Sequence, residues 1–117
     1  MGKRVLIVDD EAEDLKTMRM ILENRKYEVK TAPDGTKALQ ILRDKRFDLI
    51  IIDILMPKLS GYELLRLLRE KMNHDAKMLY ASIVPKQEVD MTDIDGFIQK
   101  PFSPESFMEG VKKCLDR

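Results

Sequence analysis

Two short aliphatic segments, each followed directly by aspartate, constrain the fold of this chain more than any other feature of its sequence. The segments Val5 to Val8 and Leu49 to Ile52 are continuously apolar and rich in β-branched side chains. Such runs are typical of strands that are buried on both faces of a parallel sheet. Asp9 and Asp10 follow the first segment, and Asp53 follows the second. The sequence therefore predicts buried parallel strands with carboxylates at their ends.

Three further segments have weaker strand character, and the stretches between strands read mostly as helices with an apolar stripe. Five strands that alternate with helices imply a doubly wound α/β fold, in which helices cover both faces of a parallel sheet. The 117 residues suit a single domain, 1–117. Ligands of such folds bind at the carboxyl ends of the strands. The weaker strand segments are Glu28 to Ala32, Met78 to Ala81 and Gly96 to Gln99.

Two helix starts are marked by capping residues. Ser60 with Glu63 three positions later matches a capping box, and Ser103 followed by Pro104 places a cap before a first-turn proline. These signals predict that the third and the last helix begin directly after Ser60 and Ser103.

Charge and composition exclude several classes of protein. The 21 basic and 21 acidic side chains cancel, so no net field attracts the chain to nucleic acid or to an anionic membrane. Cys114 is the only cysteine, which rules out an intrachain disulfide, and no charged-then-apolar leader is present. No apolar run approaches the roughly 20 residues of a membrane helix. We expect a soluble cytoplasmic protein, monomeric or weakly dimeric, without direct contact to nucleic acid or membrane.

The strand-end carboxylates point to a site. Asp9, Asp10 and Asp53 should project from one edge of the sheet, where their mutual repulsion calls for a proton, a basic partner or a divalent metal. Hard oxygen ligands favour Mg²⁺ over zinc. Lys100 follows the fifth strand and should reach the same edge. Strand-end aspartates and a solvated lysine are each ordinary, but together they predict a pocket for a metal and a phosphate.

These residues resemble a known family. The residues that carry the likeness follow the strands in the family's order, and they are Asp9 with Asp10, Asp53-Ile54-Leu55-Met56-Pro57 with Gly61, Ser82, and Lys100-Pro101-Phe102. Together they resemble the receiver domains of two-component response regulators. The resemblance covers nearly the whole chain and implies a flavodoxin-like (βα)5 fold with a parallel sheet of order 2-1-3-4-5.

The resemblance also implies roles for the site residues. Asp53 would accept a phosphoryl group from a histidine kinase, a phosphotransfer protein or a small-molecule donor. Mg²⁺ would be held by Asp10, Asp53 and the backbone carbonyl of Leu55, with Asp9 acting through water. Lys100 would contact a phosphoryl oxygen. The domain would catalyse only its own phosphorylation and dephosphorylation, and its output partner cannot be read from the sequence.

The family's switch also has counterparts here. Ser82 matches the hydroxyl that moves toward the phosphoryl group, and Phe97 matches the aromatic side chain that then rotates inward. By themselves, both would be read as an ordinary strand-end serine and a core aromatic. The resemblance implies a cis Lys100-Pro101 peptide bond, although the sequence alone would predict trans.

Two features depart from the family pattern. Ile83 follows the switch hydroxyl where a small residue is usual, and its bulk predicts slow loss of the phosphoryl group. The stretch between Ser82 and Lys100 is short and must contain the fourth helix. Pro85 could begin that helix, but three aspartates accumulate toward its end, where the helix dipole disfavours them. We therefore expect the fourth helix to be short or irregular.

Alternative functions differ in what they require. An aspartyl-phosphate hydrolase generally has a second aspartate where Leu55 stands, and His74, the single histidine, is expected in a polar loop far from the motifs. A dinucleotide-binding fold needs a glycine-rich turn where Asp9-Asp10-Glu11 stands. The serious alternative is a pseudo-receiver, an interaction module that keeps the fold but signals without phosphorylation.

Overall fold

The computed structural model describes residues 2–116, so the first and last residues of the predicted domain lie outside the described residues. Within this range there are five strands and four α-helices, and an α-helix follows every strand except the fourth. No helix among the described residues is long and apolar enough to cross a membrane. The strands are β1 (Arg4–Val8), β2 (Glu28–Ala32), β3 (Leu49–Ile52), β4 (Lys77–Ser82) and β5 (Gly96–Gln99), and the helices are α1 (Ala12–Asn24), α2 (Gly35–Asp44), α3 (Gly61–Arg66) and α4 (Pro104–Leu115).

The strands form one parallel sheet in the order β2-β1-β3-β4-β5. This order confirms the expected flavodoxin-like topology. The central strands β1 and β3 pair directly, with Val5 opposite Leu49 and Val8 opposite Ile52. Their side chains are fully buried apart from Arg4, because helices cover the sheet on both faces.

Successive strand residues point to opposite faces, and this alternation divides the core into two clusters. On one face, alternate residues of the sheet pack against α1 and α4; on the other, they pack against α2 and α3. In β1, for example, Val5 and Ile7 face the first pair of helices, while Leu6 and Val8 face the second. The two-layer burial explains why β1 and β3 are continuously aliphatic rather than alternating.

The predicted helix starts are confirmed. Ser60 and Glu63 form a reciprocal capping box at α3, with the Ser60 hydroxyl accepting from the Glu63 amide at 3.2 Å. Ser103 caps α4 and accepts from the Ser106 amide at 3.0 Å, and Pro104 occupies the first turn. The third helix continues beyond α3 as a π-helical turn at Leu67–Lys71.

The connection from β4 to β5 contains no α-helix. Its only regular element among the described residues is a three-residue 3₁₀ helix at Lys86–Glu88, in line with the expected short or irregular fourth helix. Hydrogen bonds from side chains hold the rest of this connection against the domain. The amide group of Gln99 donates to the carbonyls of Ser82 and Val84, both at 3.0 Å, and its oxygen accepts from the Lys86 amide. Arg69 donates to the Asp93 carbonyl and pairs with Asp95 at 2.8 Å.

His74 lies in a loop, as expected, but its surroundings differ from the polar loop that the sequence suggested. Its side chain is buried, and neither ring nitrogen has a hydrogen-bond partner among the described residues. Burial is the main reason that the pKa of His74 is lowered from its usual value. The residue precedes β4 at the amino edge of the sheet, away from the strand ends that carry the predicted site.

Candidate functional site

The strand-end residues are positioned by the sheet itself. One further backbone hydrogen bond extends each ladder past the last strand residue, from the amides of Asp9, Asp53 and Lys100 to the carbonyls of Ala32, Val8 and Ser82. These bonds are 3.1, 2.9 and 2.9 Å long. The three side chains therefore leave the carboxyl edge at defined positions, as the sequence predicted.

Three carboxylates gather at this edge. Asp9, Asp10 and Asp53 each offer one oxygen, and these oxygens lie within 4.8 Å of one another. Asp9 and Asp53 are buried, whereas Asp10 is exposed. One oxygen of Asp9 accepts from the Glu11 amide at 2.9 Å, which fixes the side chain at the start of α1. The cluster is open on the side of Asp10, where an ion can enter from solvent.

Lys100 brings a cation into the cluster. Its ammonium nitrogen lies 2.6 Å from Asp9 Oδ2 and 3.8 Å from Asp53 Oδ2. The lysine side chain is 7% exposed, so these charges interact in a medium of low dielectric constant. Lys100 is therefore closely paired with Asp9 and stands within reach of Asp53.

A further partner of Lys100 was missed in the sequence. Asp14, on the first turns of α1, lies 2.7 Å from the ammonium nitrogen through its Oδ2. The available signal was its spacing, because Asp14 precedes the buried residues Met18 and Leu22 by four and eight positions. A carboxylate on the buried stripe of a helix needs a partner, and Lys100 provides it.

Asp53 is electrostatically destabilised. Burial and, next, the negative charge of Asp9 raise its pKa from 3.8 to about 6, although Lys100 and hydrogen bonds from the Leu55 amide and the Ser82 hydroxyl act in the opposite direction. For Lys100, burial acts to lower the pKa, but hydrogen bonds to Asp14 and Asp9 outweigh it, and the pKa is raised. The ammonium is therefore firmly charged, while the Asp53 carboxylate lacks sufficient compensation.

The predicted switch residues lie on adjacent strands. Ser82 is fully buried at the end of β4, and its hydroxyl oxygen accepts from the Val84 amide at 3.3 Å. Phe97 lies opposite Tyr80 in the register of β4 and β5 and is partly buried against the α2 and α3 side of the core. Ser82 thus belongs to the pocket, whereas Phe97 lies on the outermost strand β5, three residues before Lys100.

Loops shape the rest of the pocket. Gly61 donates its amide to the Ile54 carbonyl at 2.8 Å, and a Cβ at this position would collide with the Asp53 carbonyl. The glycine lets α3 begin directly against the strand end. The Lys100-Pro101 bond is cis, as the family resemblance implied. Leu55 and Ile83 stand at the rim with 53% and 65% of their surfaces exposed.

Comparisons with known proteins agree on one family. A family model described as response regulator receiver domain matches residues 5–112. The alkaline phosphatase synthesis transcriptional regulatory protein PhoP of Bacillus subtilis is 36% identical over 100% of this chain and 50% of its own length. The chain thus spans about half the length of the curated relatives it matches.

Solved structures show the same similarity. Chemotaxis protein CheY4 of Vibrio cholerae superposes with a TM-score of 0.88 at 30% identity, over 97% of this chain and 99% of its own. Response regulator TrrA of Thermotoga maritima, in complex with Mg²⁺ and BeF, superposes with a TM-score of 0.83 at 30% identity, over 96% and 98%.

Proposed function

Because the chain belongs to the response regulator receiver domain family, we propose that Asp53 accepts a phosphoryl group from the phosphohistidine of a histidine kinase or phosphotransfer protein. The observation that carries the proposal is the constellation around Asp53. Its carboxylate is 8% exposed, lies beside two other carboxylates, and has the Lys100 ammonium 3.8 Å away. The relatives of the chain are response regulators, which are regulatory proteins rather than metabolic enzymes.

The donor set fits Mg²⁺. Three carboxylate oxygens within 4.8 Å of one another are hard ligands, and the raised pKa of Asp53 reflects a charge that lacks compensation. Asp10 and Asp53 would hold the ion with the backbone carbonyl of Leu55, and Asp9 would act through water. When bound, Mg²⁺ neutralises negative charge that the carboxylates and the phosphoryl oxygens bring together.

The transfer itself would be performed by Asp53. A carboxylate oxygen attacks phosphorus, an O–P bond forms as the N–P bond of the phosphohistidine breaks, and the histidine nitrogen keeps the electron pair. The attacking group must be ionised, which occurs above its pKa of about 6 in the metal-free domain. Lys100 would contact a phosphoryl oxygen as a point charge, since its ammonium already lies at this edge.

The proposed switch follows from the new charge. A phosphoryl group adds about 1.5 to 2 negative charges and new acceptor oxygens, which favour a hydrogen bond from the Ser82 hydroxyl. That hydroxyl is positioned to donate, because it already hydrogen-bonds to the Asp53 carboxylate while its oxygen accepts from the Val84 amide. Phe97 is partly buried and would move further inward in the phosphorylated domain, so its contribution would be steric.

Intact-mass spectrometry after incubation with acetyl phosphate tests the proposal. We expect one phosphoryl adduct on the native chain that requires Mg²⁺ and is absent from Asp53→Asn. Asp44→Asn is a matched control, because Asp44 is an exposed aspartate at the end of α2. An adduct on Asp53→Asn would refute the assignment of the phosphoacceptor.

A pseudo-receiver is the second candidate function. It is favoured by the ion pairs of Lys100 with Asp9 and Asp14, which compensate the charge of these two carboxylates without a metal or a phosphoryl group. The same experiment separates the two functions. If neither acetyl phosphate nor a panel of histidine kinases yields an adduct, signalling by protein contacts alone is favoured.

A further inference from the structure

The ammonium of Lys100 is shared by two carboxylates other than the proposed phosphoacceptor. It lies 2.6 Å from Asp9 and 2.7 Å from Asp14, but 3.8 Å from Asp53. An ammonium has three hydrogens to donate. Two of them are committed to short, charge-assisted hydrogen bonds, and only a long contact remains toward Asp53.

The surroundings of the Asp14 pair strengthen it. Asp14 is 39% exposed, so solvent screens it only in part. The pair borders a cavity of about 280 Å³ that is lined by Asp14, Thr17, Ile83, Lys100, Pro101 and Phe102. Apolar groups of Ile83, Pro101 and Phe102 thus stand beside the charges, where the attraction is stronger than at an open surface. The pair links α1 to the segment after β5, 86 positions away along the chain.

Asp9 and Asp14 do not hold the lysine in the same way. Asp9 is buried, is fixed by the Glu11 amide, and belongs to the acidic cluster. Asp14 lies outside that cluster, and its carboxylate is directed to Lys100. An anion attached to Asp53 would attract the ammonium, and the short hydrogen bond to Asp14 must be weakened or broken before the ammonium can move toward that anion.

We propose that Asp14 is a positioning residue that holds Lys100 beside Asp9 and competes with the phosphoryl group on Asp53 for its ammonium. The inference rests on the proposed phosphoacceptor function. Within that function, α1 contributes a carboxylate whose attraction for Lys100 opposes the phosphorylated state. Asp14 does not touch the phosphoryl group, and it acts only through Lys100.

The test measures the affinity of the full chain for beryllium fluoride, a phosphoryl mimic, at saturating Mg²⁺ by NMR titration. Asp14→Asn should bind about threefold to fivefold tighter than the native chain, since a partly exposed ion pair is worth about that factor. Asp14→Glu keeps the charge and should stay within about twofold of the native affinity. Glu13→Gln is the matched control, because Glu13 is an exposed carboxylate on the same turn of α1.

A second measurement observes Lys100 directly, without any phosphoryl mimic. A buried ammonium with two short hydrogen bonds should exchange its protons with water slowly enough for its Nζ signal to be observed in a ¹⁵N-labelled sample. The exchange should become faster in Asp14→Asn and remain unchanged in Glu13→Gln.

The outcomes separate the two proposals. Native affinity for beryllium fluoride in Asp14→Asn, or an equal gain in Glu13→Gln, would overturn the competition. An unchanged rate of proton exchange at the Lys100 ammonium in Asp14→Asn would overturn the positioning role. If the native chain and the variants all fail to bind, the phosphoacceptor proposal fails, and the ammonium signal still decides whether Asp14 holds Lys100.

Discussion

Replacing Asp53 with asparagine should stabilise the metal-free domain, and the gain should depend on pH. The asparagine would keep the shape of the side chain but remove a buried charge that faces Asp9. The native carboxyl has its pKa raised from 3.8 to about 6, mainly by burial and then by Asp9. Between pH 3.8 and about pH 6, the Asp53 carboxyl is protonated in the folded state but ionised in the unfolded chain. The free energy of unfolding therefore falls as the pH rises through this window.

The magnitude follows from the shift. A difference of about two pKa units corresponds to about 3 kcal/mol. Little of this is lost to solvent screening, because the Asp53 side chain is 8% exposed. The contribution of the protonated Asp53 carboxyl to the free energy of unfolding is fully present below the unfolded pKa of 3.8. It is lost once the pH exceeds the folded pKa of about 6. Asp53→Asn should thus gain about 3 kcal/mol over the native chain near pH 7.5 but only about 1 kcal/mol near pH 4.5.

Urea unfolding without divalent metal, followed by circular dichroism, measures this difference, and the chain has no tryptophan to follow instead. Asp44→Asn should differ from the native chain by no more than about 0.5 kcal/mol at either pH. Mg²⁺ should reduce the difference in stability between Asp53→Asn and the native chain, because it would bind to the carboxylates of the native chain and stabilise its folded state. A variant that is no more stable than the native chain near pH 7.5, or that gains equally at both pH values, would refute the account of Asp53.

Three other substitutions test separate features. Lys100→Met should lower the free energy of unfolding by about 3 kcal/mol, because Asp9 is left charged and buried; urea titration checks this, and Lys112→Met on the exposed face of α4 should have little effect. Ile83→Ala should shorten the lifetime of the phosphorylated chain, since the native side chain would shield the acyl phosphate from water; unchanged decay of the intact-mass adduct would remove the basis for slow turnover. His74→Leu should stabilise the fold by about 1 kcal/mol at neutral pH, because the buried ring nitrogens have no hydrogen-bond partner within residues 2–116. Its advantage should grow as the pH falls below 6.5, since the lowered pKa of His74 means that the unfolded chain binds a proton first; a gain that is independent of pH would contradict this.

Much of the fold could be predicted because burial on two faces leaves a strong mark on the sequence. β1 and β3 were recognisable from continuous aliphatic residues, and α3 and α4 from Ser60 and Ser103. The strand order was implied only by the family resemblance, since hydrophobic patterns do not specify which parallel strands are neighbours. For the β4–β5 connection the sequence predicted only that its helix is short or irregular. Its path could not be predicted, because side chains distant in the sequence, such as Gln99 and Arg69, hold it.

The candidate site could be predicted where the backbone alone determines position. Asp9, Asp53 and Lys100 follow strands, and a parallel sheet brings strand ends to one edge. Asp14 was missed because its spacing places it on the buried stripe of α1 but does not show that this end of the stripe meets Lys100, 86 positions away along the chain. His74 was misjudged for a related reason, since polar neighbours in sequence do not reveal which side chain a loop turns inward.

The side-chain hydrogen bonds that hold the β4–β5 connection determine how this part of the domain opens. A helix protects its amides as one cooperative unit, and it frays or unfolds as such. Here, the Lys86 amide depends on Gln99, and the Asp90 amide depends on the Tyr62 hydroxyl at 3.1 Å. These amides should exchange with solvent independently of one another. Motion in this region can therefore begin with the loss of a single side-chain hydrogen bond, without the unfolding of a whole helix.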